Sequence, residues 1–83
     1  MNLFLTESAQ KDLAQLDSPT RGRIKDGLNR LMEHPKTLDL KKLKGQENRW
    51  RLRVGDYRVI LEMHEPPQTV YVLRIRHRKE AYR

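Results

Sequence analysis

The sequence predicts an α+β domain spanning residues 1–83: an N-terminal strand, a two-helix hairpin packed on an antiparallel three-stranded meander, and a short C-terminal tail. Two patterns carry that reading. Between residues 6 and 34, apolar side chains recur at helical spacing between cap and stop signals. Between residues 49 and 78, apolar and basic side chains alternate and are broken by two turn signals.

Met1-Asn2-Leu3-Phe4-Leu5 is strand-like and lacks the charged and long apolar regions of a signal peptide. Thr6 is placed to cap a helix that carries Ala9, Leu13 and Leu16 on one stripe, and Asp17-Ser18 ends it. Ser18 is expected to cap the second helix, with Pro19 at its first position. That helix presents Ile24, Leu28, Leu31 and Met32 on one face and stops at His34-Pro35. Gly27 weakens it by about 1 kcal/mol relative to Ala and is expected to mark close packing against the first helix. Residues 35–48 read as the one long loop. The helix pair is expected to cover one face of the sheet and leave the other open.

Trp50-Arg51-Leu52-Arg53-Val54 has the two-residue period of a strand with one apolar face. Gly55-Asp56 suits a type II′ turn, which sets Val54 opposite Tyr57, Arg53 opposite Arg58 and Leu52 opposite Val59. Pro66 and Pro67 mark the next turn, and Thr69 to Arg78 reads as the third strand. A three-residue loop, 65–67, places Tyr71, Leu73 and Ile75 on the apolar face with Trp50, Leu52, Tyr57, Val59 and Leu61. It also sets Arg74 opposite Arg58, giving a row Arg53–Arg58–Arg74 with Arg76 and Arg78 following. Like charges directly across a strand pair are destabilising, so such a row points to a bound phosphate.

The net charge of +7 is segregated. Residues 1–40 are neutral, whereas residues 41–58 hold seven basic and two acidic side chains and residues 74–83 hold five and one. Charge concentrated on one sheet face implies a polyanionic partner. The absence of cysteine excludes disulfides and thiolate metal sites and is compatible with a reducing cytoplasm. No apolar run approaches the length of a membrane span, so no membrane partner is expected. Metal-ligand spacing, a phosphate-binding glycine loop and a serine nucleophile arrangement are all missing, and no cofactor is expected.

Leu43-Lys44-Gly45, the run from Trp50 to Ile60, and Val72-Leu73-Arg74-Ile75-Arg76-His77-Arg78-Lys79-Glu80-Ala81-Tyr82 together resemble the RelE toxins of the RelE/ParE toxin–antitoxin superfamily. The resemblance implies an endoribonuclease that cuts mRNA in the ribosomal A site. It further implies silencing by a cognate small acidic antitoxin, through which alone the toxin would reach operator DNA. On this basis Arg58 would hold the scissile phosphate, flanked by Arg51 and Arg53, with Arg78 near the leaving group. Lys44 would bind backbone phosphate, and Tyr82 would stack on a codon base. Lys41, Lys42, Arg49, Arg74, Arg76, Lys79 and Arg83 would extend the RNA-binding surface.

In the best-known RelE the positions matching Arg51 and Arg53 are lysines, one of them proposed as general base. Arginine does not release its proton in proteins, so that role has to move. Histidine titrates near neutral pH, which makes His77 the candidate, provided the strand ends or bulges there; strict alternation turns its ring away from Arg78. His34 reads as a helix stop, His64 as a turn residue and Glu62 as the partner of a neighbouring arginine. Two other functions fit the same scaffold: a ParE-like poison of DNA gyrase, which needs no such set of residues, and a nucleic-acid-binding module without chemistry.

Overall fold

The computed structural model describes residues 2–65 and 68–81, with the side chains of Glu80 and Ala81 left aside. Its elements are β1 (Asn2–Leu5), α1 (Glu7–Ala14), α2 (Ser18–Glu33), β2 (Asp39–Lys42), β3 (Arg49–Val54), β4 (Tyr57–His64), β5 (Thr69–His77) and α3 (Arg78–Ala81). The expected α+β architecture is present, and the meander is the centre of a five-stranded sheet ordered β1-β5-β4-β3-β2. β1 lies parallel to β5 at one edge, and β2 runs antiparallel to β3 at the other.

Local signals set the helices. The Thr6 hydroxyl accepts from the Ala9 N–H at 3.2 Å and donates to the Leu73 carbonyl at 3.0 Å, so one side chain caps α1 and ties it to β5. Asp17, not Ser18, caps α2, its carboxylate accepting from the Thr20 N–H at 2.9 Å. Hydrogen bonds from Thr20, side chain first and backbone second, hold the Asp17 carboxyl below its usual range. Gly27 marks a close approach, but to β3 rather than to α1. A Cβ at this position would lie 2.9 Å from the Val54 Cγ2.

The helices cover one sheet face. Ala9, Ile24, Leu28 and Leu31 pack on Leu52, Val59, Leu61, Val70, Val72 and Ile75, with Leu13, Met32, Trp50, Val54 and Tyr57 at the margin. Burying such side chains is the main stabilising term in a domain of this size.

The β3–β4 hairpin has the expected register, Val54↔Tyr57, Arg53↔Arg58 and Leu52↔Val59. The β4–β5 pair departs from it twice. His64 pairs with Thr69, so the connection is one residue longer than expected. A one-residue slip moves every side chain to the other face, which puts Val70 and Val72 in the core and Tyr71 outside. The pairing then shifts between Leu61↔Val72 and Ile60↔Arg74, leaving Leu73 as the extra residue of a β-bulge. The second slip restores Ile75 to the core and sets Arg76, not Arg74, opposite Arg58.

Beyond β1 the outer edge of β5 would expose backbone groups. Thr6 N–H donates to the Val72 carbonyl at 3.0 Å, and the Ile75 N–H donates to the Asp12 Oδ2 at 2.9 Å. The expected long loop contains a short 3-10 turn, Pro35–Thr37, and the strand β2. With four residues and a single apolar one, Leu40, β2 offers too little alternation to be seen in the sequence.

Candidate nucleic-acid interface

The face not covered by helices is ordered in three transverse rows. The first is Asp39–Arg53–Arg58–Arg76 and the second Lys41–Arg51–Ile60–Arg74, each running from β2 to β5. The third is Arg49–Glu62–Tyr71–Phe4, from β3 to β1. Directly opposed residues have Cβ atoms about 5 Å apart, so Arg53, Arg58 and Arg76 bring three guanidinium groups onto adjacent strands.

Several cations are already engaged. Arg74 forms a forked pair with Asp12 of α1, Nε to Oδ2 at 2.9 Å and Nη2 to Oδ1 at 3.3 Å. Arg51, its side chain only 17% exposed, meets Asp39 at 3.1 Å. Glu62 lies 3.7 Å from Arg49, the arginine partner expected for it, and also 2.6 Å from His64. Arg53 donates from Nε to the Gly55 carbonyl at 3.4 Å. Among the described residues, neither Arg53 nor Arg76 has a carboxylate partner. Arg58 is half-buried at the centre of the first row, with its Nε shielded from solvent. Positioned guanidinium donors of this kind bind phosphate through short, charge-assisted hydrogen bonds.

Other residues of the expected site lie elsewhere. Lys41 is on the open face, but Lys42 pairs with Trp50 and takes the opposite face, because β2 alternates as any strand does. Lys44 is exposed in the β2–β3 loop, next to Gly45 at φ 74°. Arg78 and Lys79 are exposed at the start of α3, and the Arg78 N–H donates to the Asp56 carbonyl at 2.7 Å, holding that turn beside the β3–β4 loop. Tyr82 and Arg83 fall outside the described residues. β5 ends at His77, which pairs with Tyr57. Its ring meets Tyr57 edge-on at 5.3 Å, and its Nδ1 accepts from the Lys79 N–H at 3.3 Å. The strand does end at this residue, and the ring lies on the Tyr57 side of the sheet. Asp39, Phe4 and Tyr71 are the open-face residues that sequence reasoning missed. Only the alternation in Leu3-Phe4-Leu5 hinted at one of them.

A small α+β fold with an arginine-lined open sheet face is the architecture of RelE-like toxins. The chain belongs to the family described as the ParE toxin of the type II toxin–antitoxin system, parDE, whose model matches residues 3–82. Toxin RelE3 of Methanocaldococcus jannaschii is 34% identical over 99% of this chain and 96% of its own length. The toxin–antitoxin complex RelB–RelE from Methanococcus jannaschii superposes with a TM-score of 0.80 at 31% identity, covering 95% of this chain and 94% of the other. The archaeal RelE–RelB complex from Pyrococcus horikoshii gives 0.79 at 24% identity, over 93% of each chain, a likeness of fold. This chain is thus a type II toxin of the RelE/ParE superfamily, and among its described residues no helix is long and apolar enough to cross a membrane.

Proposed function

We propose that this toxin is a ribosome-dependent mRNA endoribonuclease, working in the cytoplasm, and the observation that carries the reading is the row Arg53–Arg58–Arg76. In the reaction, the 2′-oxygen of a nucleotide attacks its own 3′ phosphorus while the P–O5′ bond breaks, leaving a 2′,3′-cyclic phosphate and a 5′-hydroxyl. The attacking hydroxyl gives up one proton and the departing oxygen takes one. Between these events the phosphorane carries extra negative charge, which the three guanidinium groups stabilise without reorganising. Arg51 flanks them, and Arg78 approaches from α3 toward the leaving oxygen.

The arginines cannot accept a proton, and His77 is turned away. Strand β2 supplies one carboxylate beside the row that can accept one, Asp39 opposite Arg53. Tyr82 remains the proposed base-stacking residue, and Lys44, Lys79 and Arg83 the outer phosphate contacts. The cationic face also calls for an inhibitor of opposite charge. A small acidic antitoxin that wraps the domain and carries the operator-binding part fits this need, as the RelB partners of the solved relatives suggest.

The ParE description of the family favours a second reading, inhibition of DNA gyrase. Induction of the wild type and of Arg58→Ala in a bacterial host, with primer extension on a reporter mRNA, separates the two. Translation-dependent cuts within codons, abolished in Arg58→Ala, are expected. Growth arrest without cuts, accompanied by loss of gyrase supercoiling, would establish the gyrase reading instead.

A further inference from the structure

The third row of the open face differs in kind from the other two. Phe4 is 50% and Tyr71 38% exposed, and they are the large hydrophobic side chains that the described structure leaves most open. Their rings stack on each other, with centroids 5.6 Å apart at 25°. His64 adds a third ring, edge-on to Tyr71 at 6.2 Å and held by Glu62. The stack adjoins the arginine rows on one continuous surface. Arg58 and Glu62 are four residues apart on β4, about 13 Å at the strand rise, and Tyr71 lies directly beyond Glu62.

Resting on the ribonuclease reading, we propose that Phe4 and Tyr71 form a stacking platform for unpaired bases of an RNA strand whose phosphates cross the arginine rows a few nucleotides away. Three features favour RNA as the occupant. The open face carries Lys41, Arg49, Arg51, Arg53, Arg58, Arg74 and Arg76 against Asp39 and Glu62, a balance that attracts a polyanion. The two large apolar side chains left exposed are both aromatic, which suits planar heterocycles better than the knobs of an amphipathic helix. The aromatics share the face of the cations, as on other sheet surfaces that read single strands. Stacking is tolerant of base identity, so the platform adds affinity and direction to the bound strand without selecting a codon.

The test uses purified protein and fluorescence anisotropy with a short purine-rich single-stranded RNA and an abasic RNA backbone of equal length. Phe4→Leu and Tyr71→Leu keep apolar bulk and remove the ring faces. The double variant is expected to lose about tenfold affinity per ring for the RNA, to bind the abasic strand as the wild type does, and to keep the same salt dependence. Unchanged RNA affinity in the double variant overturns the proposal, and so does an equal loss on the abasic strand. Unchanged RNA affinity with lost binding of the acidic antitoxin also overturns it, assigning the rings to protein docking. Aromatic-dependent RNA affinity in a protein that cuts no ribosome-bound mRNA would leave the platform standing and remove the ribonuclease reading.

Discussion

Arg58 receives one arginine from each neighbouring strand, Arg53 and Arg76, and this makes Arg76 the residue whose loss should resemble loss of Arg58 most closely. Arg76→Ala is expected to lower the single-turnover cleavage rate on programmed ribosomes by about 10²–10³-fold, the cost of one transition-state donor. Arg74→Ala should act differently, since its guanidinium is already committed to Asp12. It is expected to lower folding stability by about 1–2 kcal/mol in urea titrations, as a partly buried carboxylate loses its partner, with a smaller effect on cleavage than Arg76→Ala. His77→Gln removes the edge contact with Tyr57 and leaves the open face intact. Its cleavage rate and pH profile should match those of the wild type while its melting temperature falls; a flattened profile would return the histidine to the chemistry.

At the scale of elements, the junctions between helix and sheet decide the outcome. Gly27→Ala gains helix propensity but forces a methyl against the β-branched Val54. Overpacking costs about 1–3 kcal/mol, so the variant should unfold at lower denaturant. Thr6→Ala should lose about 1–2 kcal/mol through the α1 cap and the bond to Leu73, whereas Thr6→Ser keeps both bonds. The Asp17 carboxyl titrates lower when folded, so the stability it contributes is present above 3.8 and is lost as pH falls through the folded value. Asp17→Asn should remove that part of the acid dependence, checked by melting temperature against pH. The helices, the β3–β4 hairpin and its facing Arg53 and Arg58 were legible because caps, a two-residue turn and strict alternation are local. The β4–β5 register was not, because a loop one residue longer and the bulge at Leu73 each reverse the faces. Their joint effect restored Ile75 yet exchanged Arg74 for Arg76, while the longer loop alone turned Tyr71 from the expected core to the surface. Strand β2 escaped notice because its pairing with β3 is what makes four polar-rich residues extended.

For the whole molecule, one sheet face is covered and holds the core, and the other is open and carries the cations. RNA affinity should fall steeply with salt, because phosphate contacts release counterions. Removing one contacting cation, as in Arg53→Ala, should reduce the slope of log affinity against log salt by about 0.7 while leaving the melting temperature nearly unchanged. The carboxylates of Asp12 and Asp39 each fix one arginine of the open face, Arg74 and Arg51. The edge position of β1 has a consequence in time. Its sheet neighbour is β5, beginning with Asn2 beside Thr69, so β1 has no hydrogen-bonding mate in the sheet until β5 has been made. β5 also completes the arginine row with Arg76. The sheet edge and the arginine row are therefore completed together, when β5 takes its place between β1 and β4.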